Sequence, residues 1–296
     1  MDIPEEFRRR DYQMFRGIPL ASLFVENWKR VEQFQVRPDD LLIASFPKSG
    51  TTWMCEIMDL ILNNGDVKKC QRDAVYNRVV MLEFAGVTTI QPGTEVLSRM
   101  PSPRLLRTHL PISLLPKSFW ENSCKVIYVA RNAKDVAVSS YHFAGANILH
   151  PHPGTWEHYL EKFMAGKVMF GSWHEHVTSW WEKRNDLRLL YLFYEDMKED
   201  LEREIRKLLA FLEKDMEEEV LKIIVQRASF QVMKENPMTN YETIPTHLLD
   251  KRVSPFMRKG ICGDWKNHFT VHQNEKFDED YEKKMSGTTL SFRTEI

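Results

Sequence analysis

Leu41-Leu42-Ile43-Ala44-Ser45-Phe46-Pro47-Lys48-Ser49-Gly50-Thr51-Thr52-Trp53 is a largely apolar run that breaks at Phe46-Pro47 into a small polar loop and then restarts. Residues 41 to 46 have strand length, and their composition suits a strand buried on both faces of a parallel sheet. The next segment is amphipathic. Met54, Ile57, Met58, Ile61 and Leu62 recur at helical spacing, and Asn63-Asn64-Gly65 supplies a left-handed stop. Between strand and helix, Lys48, Ser49, Gly50, Thr51 and Thr52 place successive backbone N–H groups, hydroxyls and a cation at a helix N-terminus. That is an anion site by geometry and dipole together, and a phosphate is its expected ligand.

The spacing differs from the Walker loop, G-x-x-x-x-G-K-[ST]. Lys48 precedes Gly50 by two positions and the first glycine is missing, so the cation enters from the strand side. Taken alone, the segment also fits an ordinary strand-to-helix turn with a solvated lysine.

With 296 residues, 43% hydrophobic and 28% charged, the chain can bury one large core, and 1–296 is read as a single α/β domain. A net charge of −1 argues against non-specific nucleic-acid or membrane-surface partners and points to a small molecule. Cys55, Cys70, Cys124 and Cys262 have neither metal-ligand nor disulfide-framework spacing, so no metal is expected and a reduced compartment fits. The start, Met1-Asp2-Ile3-Pro4-Glu5-Glu6, is acidic where a signal peptide is basic, and no run reaches the roughly 18 apolar residues of a membrane span. The expected location is the cytoplasm.

Along the chain, residues 1–40 read as a lead-in segment packing over the domain. Residues 84–103, rich in Gly, Pro, Thr and Ser, read as a loop: either a substrate-side flap or a tolerated surface insertion. Residues 104–110, 125–130 and 189–193 are further strands, and helices occupy 133 onward, 200–213 and 216–226. Strands alternating with helices predict a mostly parallel central sheet with helices on both faces. Four strand ends then bring Lys48, His109, Arg131 and Tyr194 to one edge of that sheet, where ligands of such folds bind. A lone histidine at a strand end is commonly structural; His109, beside Arg107 and opposite a phosphate loop, reads as functional.

Pro47-Lys48-Ser49-Gly50-Thr51-Thr52-Trp53 resembles the 5′-phosphosulfate loop of the cytosolic sulfotransferases. The likeness extends through Arg107-Thr108-His109-Leu110, Tyr128 to Ser139, Leu192 to Lys198, Phe256-Met257-Arg258-Lys259-Gly260 and Gly263-Asp264-Trp265-Lys266, nearly the whole chain. It is similar in particular to the phenol and estrogen branch. The resemblance implies a P-loop-like phosphosulfate-binding loop, a donor, 3′-phosphoadenosine 5′-phosphosulfate (PAPS), and an acceptor hydroxyl or amine on a phenol, steroid or catecholamine. It implies that residues 48–53 hold the 5′-phosphosulfate, that Arg131, Ser139 and Arg258-Lys259-Gly260 bind the 3′-phosphate, and that Trp53, Tyr194, Ala228, Ser229 and Phe230 frame the adenine. Met233, Phe256 and Met257 complete that donor site. In catalysis it implies His109 as general base, Lys48 on the leaving oxygen, Ser139 restraining Lys48, and Arg107 stabilising charge at the sulfuryl group. Phe24, Met81, Arg107, Thr108, His109, Phe143, Tyr241 and Leu248 would line the acceptor pocket, although plain core packing accounts equally well for the apolar ones.

The residues agree independently. A donor with phosphates at both ends of its ribose needs two anion sites, and the chain offers the loop after Lys48 and the pair Arg131 with Arg258-Lys259. A sulfuryl group carries less charge than a phosphoryl group, so a lysine and backbone donors suffice without magnesium. Against the family pattern stand Arg107 for Lys, Ala228 for Thr, Ser140 for Tyr and Met81 for Phe, the last two suggesting a roomier pocket. A small-molecule kinase would show a Walker lysine and a magnesium carboxylate. A non-catalytic nucleotide-binding module would have no use for His109. Finally, the segment Lys266, Thr270, Val271 and Glu275 matches the family's short dimer segment, implying a homodimer.

Overall fold

The structure, a computed structural model, describes residues 9–86 and 91–296. Its centre is a five-stranded, all-parallel sheet built from β3 (Leu41–Ala44), β4 (Val80–Met81), β5 (Leu105–Thr108), β6 (Lys125–Ala130) and β7 (Leu189–Phe193), in the order β4-β5-β3-β6-β7. A separate antiparallel hairpin, β1 (Gln13–Phe15) and β2 (Ile18–Leu20), precedes it. Because β3 is flanked by β5 on one side and β6 on the other, the chain switches direction of winding at β3, and a crevice opens beyond its carboxyl end.

Alternation along the strands decides what packs where. Leu42, Ala44, Leu106, Val126, Tyr128 and Ala130 face one cluster, which also contains Phe24, Trp28 and Trp180. Leu41, Ile43, Leu105, Ile127 and Val129 face the other, completed by Met54, Ile57, Met58 and Ile61 from helix Thr51–Leu62 and by Ile205, Leu208 and Leu209 from helix Leu201–Leu212. Burying each such side chain contributes about 1.5–3 kcal/mol, and two buried faces are why the strands read as unbroken apolar runs.

Several boundaries differ from the sequence reading. The first strand ends at Ala44 rather than residue 46, because Phe46 leaves the sheet to pack, 1% exposed, in a third cluster with Phe163 and Trp173. The second spans Leu105–Thr108 rather than 104–110, and the last of the anticipated helices is Glu218–Arg227. The lead-in is more than a cover: its short helices Ser22–Glu26 and Trp28–Glu32 deliver Phe24 and Trp28 into the core, while residues 1–8 lie outside the described part. The 84–103 segment, expected as loop, carries a helix at Gly93–Arg99 anchored by fully buried Leu97. It starts on a glycine because the chain passes so close to Met81 that a Cβ at Gly93 would sit 1.9 Å from the Met81 carbonyl oxygen. Residues 87–90 of that segment lie outside the described residues.

Candidate active site

The four strand ends do meet. Lys48, His109, Arg131 and Tyr194 all line one cavity of about 720 Å³ at the carboxyl edge of the sheet. Register explains it: Ala44 pairs with Thr108 and with Tyr128, and Ala130 with Phe193, so the residues beyond these strands emerge together.

The loop after β3 is shaped by two left-handed residues, Lys48 at φ 68° and Gly50 at φ 104°. A Cβ at Gly50 would stand 2.8 Å from the Tyr194 ring, so glycine here serves both backbone and packing. The helix begins at once with Thr51, whose first-turn amides have no intrahelical carbonyl to bond. Ser49 is fully buried, and its Oγ has no partner among the described residues. The Lys48 ammonium lies 4.2 Å from the Phe143 ring centroid and 4.3 Å from that of Phe256. Burial, with Arg131 and Arg258 nearby, pulls its pKa down to about 7.

A second cationic centre stands beside the first. Arg131 stacks 4.3 Å from the Tyr194 ring and donates to the carbonyls of Ile261 (2.9 Å) and Lys48 (3.3 Å), with Asp135 at 3.6 Å. Arg258 and Lys259 are both held by Asp264, at 2.6 and 2.5 Å, and these cations keep that carboxylate down at about 2 against the effect of burial. Asp135 also accepts from the backbone N–H groups of Gly263 and Trp265, tying helix Ala133–Ala146 to the 258–265 segment. Gly260, at φ 64°, passes so near Phe230 that a Cβ would fall 2.1 Å from its ring.

At the third corner, His109 is fixed on three sides. Its Nδ1 is 2.8 Å from the Ser45 carbonyl oxygen, its backbone N–H donates to Glu83 at 2.6 Å, and its own carbonyl accepts from His176 Nε2 at 3.0 Å. Tyr128 in turn donates to His176 Nδ1 at 2.7 Å. A carbonyl can only accept, so Nδ1 carries the proton and Nε2 is left as a base. Burial, only partly offset by the Ser45 bond and reinforced by Arg107, His176 and Lys48, brings the ring's pKa to about 3. The ring is therefore neutral at physiological pH. Arg107 donates to the Tyr241 hydroxyl at 2.8 Å, and Tyr241 stacks on Phe256 with centroids 3.7 Å apart.

Of the anticipated residues, Lys48, Gly50, Thr51, Thr52, Trp53, Arg107, His109, Arg131, Ser139, Tyr194, Phe230, Met233 and 256–260 line the cavity, as do Phe24, Met81, Phe143, Tyr241 and Leu248. Others are placed differently. Thr108 is fully buried with its hydroxyl on Glu83 at 2.8 Å, because the strand's alternation turns it away from the cavity. Ala228 is also fully buried and contributes its carbonyl to Trp53 Nε1 at 2.7 Å, supporting the indole from behind; Ser229 and Ser49 are likewise off the wall. Lys48 packs over two rings and makes no hydrogen bond to Ser139 among the described residues. Ser140 is buried off the wall, so of the two departures expected to widen the pocket only Met81 reaches it. Glu83 and His176 escaped the sequence reading, and Tyr128, Asp135 and Asp264 stood in it only within matched stretches with no role of their own, since their roles depend on long-range contacts.

The comparisons agree with this geometry. The sulfotransferase domain family matches residues 38–289. The mouse protein named sulfotransferase 1 family member D1 is 59% identical over 296 residues, all of both chains. Mouse sulfotransferase SULT7A1, solved in complex with PAP, superposes with a TM-score of 0.77 at 33% identity, covering 94% of this chain and 96% of that one. Retinol dehydratase, solved with androsterone and the inactive cofactor PAP, superposes at 0.84 with 25% identity, over 94% and 89%. The chain belongs to the sulfotransferase family, enzymes that move a sulfuryl group from PAPS to an acceptor. That decides for an enzyme over a binding module, and for sulfuryl over phosphoryl transfer.

The residues present fit such a donor. Among the described residues, Arg131 Nε, Arg258 Nε and Ser49 Oγ are buried without partners around the two cationic centres. Gly260 lets the 258–260 backbone lie directly against the Phe230 ring, which any side chain at that position would displace.

Proposed function

We propose that this enzyme sulfates the hydroxyl group of small, largely apolar phenols and steroids, with His109 as the general base. The observation that carries this reading is the Ser45–His109 hydrogen bond, which leaves a neutral Nε2 on the cavity beside Lys48 and Arg107. Lys48 would lie against the bridging oxygen that departs with the donor's phosphate, and the loop 49–53 would hold that phosphate through first-turn amides. Arg131, Ser139, Arg258 and Lys259 would hold the 3′-phosphate, and Trp53 with Tyr194 and Phe230 the adenine. Phe24, Met81, Phe143, Tyr241 and Leu248 would shape the acceptor pocket. Gln91, Gly93 and Val96 of the 84–103 segment also line the cavity, which supports its reading as a substrate-side flap.

Retinol dehydratase carries androsterone, a steroid, on the same fold, and the apolar rings around His109 suit such a molecule. A panel of phenols, steroids and catecholamines incubated with labelled donor tests the reading. Transfer to none of them would overturn it.

The protein is further proposed to be a homodimer joined through Lys266, Thr270, Val271 and Glu275. Val271 supports this, being an apolar residue 77% exposed at the start of helix Val271–Met285, while Thr270 caps that helix. Lys266 pairs with Glu295 within the chain, so its part in a contact requires exchange of partners. A cytoplasmic location is proposed on the four free cysteines. Among the described residues no helix is long and apolar enough to cross a membrane.

A further inference from the structure

A polar ring interrupts the apolar wall made by Phe24, Phe143, Met169 and Phe170: His150, packed edge-on against Phe143 with centroids 5.3 Å apart. Its hydrogen bonding can be worked out atom by atom. Nδ1 is 2.7 Å from the hydroxyl of Tyr12, whose oxygen also faces the polarising backbone N–H of Met169. The single hydroxyl hydrogen is thus free to point at Nδ1. Burial, with Arg9 and Lys48 nearby, lowers the ring's pKa to about 3, so it is neutral. A neutral imidazole that accepts at Nδ1 carries its hydrogen on Nε2.

The ring is also held in place. The Arg9 guanidinium donates to the carbonyls of Ala144 (2.6 Å), Gly145 (2.5 Å) and His150 itself (2.9 Å), pinning the end of helix Ala133–Ala146 to the backbone beneath the ring. Nε2 has no hydrogen-bond partner among the described residues, although the ring borders the cavity. An oriented donor beside apolar walls favours a ligand that brings an acceptor atom, because a ligand without one leaves the donor unpaired on desolvation.

We infer that His150 reads the far end of the acceptor molecule, donating Nε2–H to a carbonyl, ether or hydroxyl oxygen distant from the hydroxyl that is sulfated. The enzyme then selects phenols and steroids bearing a second oxygen over purely hydrocarbon ones, and Tyr12 is the positioning residue that sets the tautomer. This rests on the acceptor pocket proposed above.

The test uses the full chain with PAPS and matched para-substituted phenols. One set carries a ketone at the end of a saturated chain of varied length; the other is the deoxo series. The saturated spacer keeps the phenol pKa values equal, so the ratio of kcat/KM within a pair reports the distal contact alone. Wild type should favour the ketone by about fivefold at the best length, as one neutral hydrogen bond allows. His150→Phe should abolish or invert that preference while still sulfating the alkyl phenol. Tyr12→Phe should reduce the preference, and His150→Gln, which offers an amide N–H, should restore part of it. Wild type without a ketone preference at any length, or His150→Phe with the wild-type ratio, overturns the inference and leaves the proposed function standing. Failure of wild type to sulfate either series overturns the acceptor-pocket reading itself.

Discussion

His109 Nδ1 stands 2.8 Å from the carbonyl oxygen of Ser45, one residue past the neighbouring strand that pairs with its own. Adjacent parallel strands in register thus choose the tautomer of the proposed base, with a backbone carbonyl rather than a carboxylate on its Nδ1. His109→Ala should lower kcat by roughly 10² or more while leaving PAP affinity nearly unchanged, since the base acts only as the acceptor proton moves. The loss should shrink for an acidic nitrophenol relative to an aliphatic alcohol. Steady-state kinetics with calorimetry on the same samples checks both, and wild-type turnover in the variant would exclude His109 as the base.

Lys48 gives a pH prediction whose sign follows from its environment. Burial and two neighbouring arginines lower its pKa to about 7, so above that pH the free enzyme holds it largely neutral. A bound phosphate opposes both effects and raises the pKa again. Binding of PAP near pH 8 should therefore take up protons, approaching one per site, and the uptake should fade below about pH 6, where Lys48 is already charged. Calorimetry in buffers of different ionisation enthalpy measures the proton count. Lys48→Met should remove most of it, and an unchanged count in that variant would mean the proton goes elsewhere.

Arg131 and Arg258 are each held by an aspartate yet keep Nε unpartnered, which leaves donors available for an anion. Charge-assisted contacts of this kind are worth about 1.5–3 kcal/mol each, so PAP should bind at least tenfold tighter than 5′-AMP, which lacks the 3′-phosphate. Arg258→Ala should narrow that ratio. Gly260→Ala should weaken PAP as well, because the new Cβ would displace Phe230. Equal affinities for the two nucleotides in wild type would dissociate this cluster from the 3′-phosphate.

How much of this was legible in the sequence depended on how local the cause was. The β3–loop–helix unit is set by consecutive residues, so Lys48, Gly50 and the buried face with Met54 and Ile57 were readable from spacing alone. His109, Arg131 and Tyr194 became readable once strands were assigned, because strand ends in a parallel sheet share one edge. Glu83 was not. It sits in an irregular turn after the two-residue strand β4, too short to leave a pattern, and meets His109 across 26 positions. Thr108 was misplaced for a related reason: it adjoins His109 in sequence, but strand alternation sends its side chain to the opposite side.

Val271 is 77% exposed on the first turn of a fifteen-residue helix, an apolar side chain followed by the polar residues His272, Gln273 and Asn274. If it forms the proposed contact, sedimentation at micromolar concentration should show a dimer for wild type and a monomer for Val271→Glu, with sulfation per active site little changed. A monomeric wild type would remove the dimer proposal.

Glu83 supplies the last prediction. Fully buried, it accepts from the His109 backbone N–H at 2.6 Å and from the Thr108 hydroxyl at 2.8 Å, and so holds the turn from which His109, the proposed base, projects. Burial raises its pKa to about 7, with those bonds opposing. The carboxyl therefore begins to take up a proton as the pH falls through neutrality. The protonated acid still accepts at one oxygen, so geometry should survive that step. Glu83→Gln keeps an acceptor oxygen and should retain most of the turnover, whereas Glu83→Ala leaves two buried donors unpaired, at about 1–3 kcal/mol each. Glu83→Ala should lower kcat more than it changes the KM for donor, and its loss should shrink with acidic nitrophenols as for His109→Ala, because the defect acts through the position of the base. A Glu83→Ala enzyme whose rate falls equally for acidic and weakly acidic acceptors would assign Glu83 to stability alone, and a matching drop in thermal midpoint for Glu83→Gln would say the same.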